Sequence, residues 1–229
     1  MKIAVAGVGV AAVGFACVAL VLGLSGGTGA QEGEGKGPSI LKLPVEGVVA
    51  QIAFEKGVKV SVTSKGTPLK PGEYFVQSLS LFKTDDRKRS WELRSTGKFG
   101  SLANVTLSAG QEKILLLGKP IVLHVETSSV VKQGTSDVVF VTVSARGQSG
   151  EGYYPGGWLG GKQFTPPTVA IKDAGGKTLA GGPAVMTDDH HARFDWKFPK
   201  DFHGAFDVDV RAVMGPFEFT LTKYIRPIP

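Results

Sequence analysis

Residues 193–222 read RFDWKFPKDFHGAFDVDVRAVMGPFEFTLT, and three six-residue runs within them alternate apolar and polar side chains. In 193–198, Phe194, Trp196 and Phe198 oppose Arg193, Asp195 and Lys197. In 206–211 the polar side is Asp207, Asp209 and Arg211, and 217–222 repeats the pattern. A fourth run, VKVSVT at 58–63, sets Val58, Val60 and Val62 against Lys59, Ser61 and Thr63. Successive side chains of a strand point to opposite faces, so a period of two predicts half-buried antiparallel strands. No stretch beyond residue 30 carries a comparable helical stripe. The 32 glycines and 13 prolines punctuate the chain at the short intervals that β-sandwiches need. The predicted fold class is all-β.

Outward from these runs, the polar break SSVVKQGTSD at 128–137 divides the pattern. It predicts two antiparallel β-sandwich lobes of immunoglobulin-like size, 39–127 and 130–229. One continuous sheet system sharing a core is the alternative. In the first lobe, EYFVQSLSLF (73–82), SWELRS (90–95), KILLL (113–117) and IVLHVE (121–126) are strands; in the second, VVFVTVSA (138–145), TVAIKD (168–173) and KTLA (177–180) join those quoted above. Asp173-Ala174-Gly175-Gly176-Lys177 predicts a hairpin turn, where glycine supplies the positive φ.

The N-terminus is of a different kind. Lys2 is the one charge in residues 1–30, and Ile3 to Leu24 are all apolar or glycine. That is the grammar of an export signal, and Thr28-Gly29-Ala30 predicts cleavage before Gln31. The run at 3–24 is also long enough to span a bilayer, although its glycines weaken it as a permanent helix. The segment 1–30 is therefore a signal peptide or a membrane anchor, and 31–38, QEGEGKGP, is a flexible tether. Cys17, the single cysteine, lies in the signal, so the part beyond it forms no disulfide. That part holds 25 basic and 20 acidic residues spread along the chain, which is no nucleic-acid footprint. Localisation is predicted as exported, periplasmic or extracellular, with membrane contact only if 3–24 is retained.

The second lobe resembles bacterial immunoglobulin-like or fibronectin type III-like domains. The resemblance lies in its order: a long Val-rich strand, TVAIKDAGGKTLA, an aromatic strand ending in Pro199, then GAFDVDVRA. In the first lobe, Lys70-Pro71-Gly72-Glu73-Tyr74 resembles the turn of carboxypeptidase-regulatory-like sandwiches, and VTLSAGQEKILLL (105–117) could supply that fold's closing strands. Both resemblances imply scaffolding or binding rather than catalysis.

Catalytic constellations are scarce. Gly23-Leu24-Ser25-Gly26-Gly27 has the spacing of a nucleophile elbow but lies in the export signal, with no strand before it. Asp207 and Asp209 share a strand face and are expected to pair with Arg193, Lys197 or Arg211 across strands. Lys83, Arg87, Lys88 and Arg89, interrupted by Asp85 and Asp86, read as a charged hairpin tip. No catalytic residue and no cofactor is assigned, and a non-enzymatic binding or structural role is expected; the alternative is an extracytoplasmic enzyme or metal-binding protein using a loop site near Asp188 to His191.

Two segments carry site candidates. Asp188-Asp189-His190-His191 gathers four potential zinc or copper ligands, with His203 in a later turn. Neighbours on an extended chain diverge, so convergence requires a turn; the other reading is a hydrated loop. Residues 147–167, GQSGEGYYPGGWLGGKQFTPP, form the longest interval without alternation and concentrate Tyr153, Tyr154, Trp158 and Phe164. Such aromatics suit stacking on an envelope glycan or gripping a protein partner, or else fold back to cap a sandwich or seal the joint between lobes.

Overall fold

The computed structural model describes residues 37–163, 165–187, 190–200 and 202–226. The predicted signal or anchor (1–30), most of the tether, Phe164, Asp188 and Asp189 lie outside the described residues. Glu34–Pro229 cluster as one compact unit. No helix of the described residues is long and apolar enough to cross a membrane.

The chain is all-β. Its first half contains β1 (Ser39–Lys42), β2 (Val48–Phe54), β3 (Lys59–Val62), β4 (Thr67–Leu69), β5 (Gly72–Thr84), β6 (Ser90–Arg94), β7 (Asn104–Leu107) and β8 (Glu112–Ile114). The second half contains β9 (Ile121–Thr127), β10 (Val131–Gln133), β11 (Ser136–Arg146), β12 (Gly152–Tyr153), β13 (Trp158–Leu159), β14 (Lys162–Gln163), β15 (Thr168–Asp173), β16 (Thr178–Pro183), β17 (Val185–Met186), β18 (Ala192–Lys197), β19 (Phe206–Arg211) and β20 (Phe219–Tyr224).

Four sheets result. The first half supplies β4-β1-β8 and the strand order β6-β5-β2-β3, with β7 on the start of β5. The second half supplies β17-β18-β11-β9-β20 and β16-β15-β19. Pairing is antiparallel except at β1 with β8 and β9 with β20, where the first and last strands of each half run parallel. Strand β9 pairs with β11 and β20, not with the preceding KILLL segment, whose β8 joins β1. The polar break at 128–137 includes the hairpin between β10 and β11.

The alternation expected from sequence is realised on β3, β18 and β19, each of which sets one face on a core, whereas every residue of β20 is exposed. Ala192 and Trp196 are buried on β18 and Val208 on β19, while Arg193, Asp195 and Asp207 face outward. Asp173 organises the β15–β16 hairpin, its Oδ1 accepting from the backbone N–H of Gly175 and of Lys177, both at 2.9 Å. The last strand starts two residues later than the 217–222 pattern suggests, because Phe217 is drawn into the first core.

Two apolar clusters form. One gathers Leu41, Phe54, Leu81, Trp91 and Leu93 with Ala145, Tyr153, Met214 and Phe217; the other gathers Val125, Val139, Val141, Ile171, Trp196 and Val208. Strand β9 serves both, with Ile121 and Leu123 in the first and Val125 in the second. Strand β11 does the same through Ala145 and Val141. Burying these side chains contributes roughly 1.5–3 kcal/mol for each large aliphatic or aromatic group.

Candidate functional site

The aromatic-rich segment after Arg146 crosses from one sheet system to the other. Strand β12 continues the β11 ladder (Ala145 opposite Tyr153), and Tyr153 also bridges to Ser95 beyond the end of β6. Strand β13 then adds to β6, with Trp158 opposite Glu92 and Leu159 opposite Trp91, and β14 pairs with β13. The lack of alternation over 147–167 predicts no strands here. Two-residue strands separated by glycines carry too few side chains to show a period, which is why the pattern was silent.

A buried carboxylate anchors this crossing. Glu151 is fully buried, and its Oε1 accepts from the Gly118 N–H and the Tyr153 hydroxyl, both at 3.0 Å, while Oε2 accepts from the Ser149 N–H at 2.9 Å. A buried charge is tolerable only when hydrogen-bonded in this way. The loop wraps its own acid: the Gly147 N–H donates to the Glu151 carbonyl at 2.8 Å, and a methyl at Gly147 would overlap the carboxylate. Ser149 ties the loop to neighbouring segments, its Oγ donating to the Leu116 carbonyl at 2.8 Å and its own carbonyl accepting from the Ser101 N–H at 2.9 Å. Burial pushes the Tyr153 hydroxyl well above the usual tyrosine range, and the adjacent Glu151 carboxylate adds to the shift.

Outside this layer lies a second, partly exposed one. The Arg94 guanidinium sits 4.9 Å from the centre of the Trp158 ring, and the Tyr154 ring meets the same indole edge-on at 5.4 Å. Glu92 holds Arg94 with two bonds, Nε to Oε1 at 2.8 Å and Nη2 to Oε2 at 2.9 Å, and accepts a third from the Ser80 hydroxyl at 2.9 Å. The Tyr154 hydroxyl is 2.9 Å from Nδ1 of His190. The backbone at that ring is fixed: His190 N–H donates to the Thr187 carbonyl at 2.9 Å, and His190 has φ of 66°.

The sequence candidates are therefore distributed unevenly. Tyr153 and Trp158 are interior, at 1% and 7% exposure. Tyr154 is half-buried and meets His190, a residue taken from the other candidate segment. The metal candidates Asp188 and Asp189 and the aromatic Phe164 lie outside the described residues. Among the described residues, no group of three His, Cys, Asp or Glu side chains is placed to hold a metal ion. Asp207 and Asp209 pair with Lys223, and Asp209 also with Lys172, instead of the cations expected on their own face. The difference follows from topology: Lys172 lies on β15, the hydrogen-bonded neighbour of β19, and Lys223 reaches Asp207 and Asp209 from β20 of the other sheet, whereas Arg193 is taken by Asp195.

Glu151, Glu92 and Arg94 were not among the sequence candidates. A lone acid in a glycine-rich stretch beside two tyrosines is a weak signal for Glu151, and nothing local marks Arg94. Chemically, the outer layer offers a phenol, an imidazole and a guanidinium around a covered indole, a set suited to hydrogen bonding with a polar ligand. No family model, no characterised protein and no solved structure matches the chain.

Proposed function

We propose that this chain is an exported, non-catalytic β-sandwich protein of the envelope or extracellular space, with a binding or structural role. The carrying observation is the use made of its most chemically loaded segment: Glu151, Tyr153 and Trp158 are spent on joining two sheet systems. Interior aromatics and a fully bonded carboxylate stabilise a scaffold, and the groups left partly exposed beside them are Tyr154, His190 and Arg94. An immunoglobulin-like reading of the second half rests on its two sheets, β17-β18-β11-β9-β20 and β16-β15-β19. Export rests on the apolar run at 3–24 and the small residues before Gln31. The partner on this reading is an envelope glycan or an envelope protein, met at Tyr154 and His190.

A tagged chain is fractionated in a bacterial host and tested for retention on isolated envelope. Recovery outside the cytoplasm, with retention lost in a Tyr154→Ala variant that remains folded at the assay temperature, is the expected result. A cytoplasmic pool that keeps residues 1–30 overturns export, and equal retention of wild type and Tyr154→Ala overturns the proposed contact.

A further inference from the structure

The last strand is an unguarded sheet edge. Strand β20 pairs on one side with β9, and among the described residues no strand occupies its other side. All six of its residues, Phe219 to Tyr224, are exposed. Edge strands normally carry charge, proline or a bulge that discourages pairing. Here Lys223 is the one charge within the strand, and it is already engaged by Asp207 and Asp209.

The register explains why the exposure is apolar. Phe219 lies beside Ile121, Leu221 beside Leu123 and Lys223 beside Val125. Those three β9 residues are core residues, so Phe219 and Leu221 extend a core-facing stripe by one strand. They remain 38% and 39% exposed, and Tyr224 on the other face is 62% exposed.

We propose that β20 is a homodimerisation edge that pairs antiparallel with β20 of a second copy about a two-fold axis through Thr222. The choice of occupant rests on charge complementarity within Glu218-Phe-Thr-Leu-Thr-Lys-Tyr-Ile-Arg226, which has an acid at one end and a base at the other. Antiparallel symmetry about Thr222 places Glu218 opposite the second copy's Arg226, and the axis repeats that pair. It sets Phe219 opposite Ile225, Leu221 opposite the stem of Lys223, Thr220 opposite Tyr224, and Thr222 opposite itself. Opposed residues share a face, as a two-fold perpendicular to the sheet requires, so each pair is apolar, hydroxyl-bearing or of opposite charge except Leu221 with Lys223, whose ammonium stays with Asp207 and Asp209. Glu218 and Arg226 are both exposed; Glu218 pairs with Lys119 at 3.0 Å through Oε2 and the Arg226 guanidinium lies 5.8 Å from the centre of the Tyr224 ring, so the pair across the axis is added to these contacts. A single strand pair is small beside a standard interface, so the dimer forms reversibly with concentration.

Cross-linking tests the axis directly. Opposed Cα atoms of an antiparallel pair lie within disulfide reach, so Thr222→Cys in a full-length Cys17→Ser background is expected to form a covalent dimer under mild oxidation. Lys177→Cys, at the β15–β16 turn, serves as the exposed control. Glu218→Arg alone is expected to lower the Thr222→Cys yield roughly tenfold by setting like charges opposite each other. Combining Glu218→Arg with Arg226→Glu should restore it. Sedimentation of the unmodified full chain should show a concentration-dependent dimer. A Thr222→Cys yield no higher than the control overturns the proposal, as does failure of the charge swap to restore it, or a monomer at every concentration.

Discussion

Gly215 lies against the indole of Trp91: a methyl group at Gly215 would overlap Cδ2, Cγ and Cε3 of the ring. Trp91 belongs to β6 in the first half, and Gly215 to the turn between β19 and β20 in the second. Gly157 meets the same indole, and its N–H donates to the Val213 carbonyl at 3.0 Å. Three segments distant in sequence are thus stacked at one ring. Gly215 also has φ of 62°, so both space and backbone conformation select glycine there.

Gly215→Ala should therefore destabilise by about 2–4 kcal/mol, the sum of overpacking and a left-handed backbone. Gly97→Ala is the matched comparison, with φ of 86° but nothing within 4 Å of an added methyl. It should cost only about 1 kcal/mol. Urea unfolding of both variants measures the difference; equal losses would remove the steric role of Trp91.

Glu151→Gln keeps the size of the side chain but turns one acceptor into a donor. Gly118 N–H, Ser149 N–H and the Tyr153 hydroxyl all donate to the carboxylate, so one of them must face an amide N–H instead. Loss of about 2–4 kcal/mol is expected in denaturant unfolding, because the mismatch is fully buried. A loss under about 0.5 kcal/mol, within the range of ordinary surface substitutions, would show that the loop holds its shape without the charge.

Stability should also fall at both extremes of pH, for separate reasons. Asp85 is pulled down from 3.8 to about 2 by the Trp91 indole N–H, helped by the backbone N–H and guanidinium of Arg89. Its contribution is complete above 3.8 and disappears as pH drops towards about 2, so Asp85→Asn should flatten the acid limb of a melting-temperature profile. Tyr153 is shifted upward, mainly by burial. Its contribution is complete below the unfolded value of 10.0 and declines as pH rises beyond it. The alkaline limb should be shallower in Tyr153→Phe; identical limbs in wild type and variant would contradict the assignment.

Trp158 and Tyr154 should separate stability from contact. Trp158→Ala removes an indole packed between Arg94 and Tyr154 and is expected to cost about 3 kcal/mol or more. Tyr154→Ala removes a half-buried ring whose hydroxyl meets His190 and should cost less than Trp158→Ala. Thermal melts of the two variants decide the order, and a reversed order would move the structural weight of the segment from Trp158 to Tyr154.

Local pattern was enough to establish the all-β class, the faces of β18 and β19 and the Asp173 hairpin. Each depends on neighbours one to four residues apart, where the two-residue period and turn chemistry act. It also marked 147–167 as unusual, since clustered aromatics in a glycine-rich stretch stand out without any partner being known. Only the tertiary structure decided what that segment does. Glu151 is held by Gly118, Trp158 is added to β6, and Trp91 is faced by Gly215, contacts that join residues from 33 to more than a hundred positions apart. The same holds for the cations on Asp207 and Asp209, because which strands bring their lysines to β19 is a matter of topology. Side-chain alternation records which face of a strand is buried; it carries no record of which distant strand lies alongside, because that choice is made by packing across the whole core.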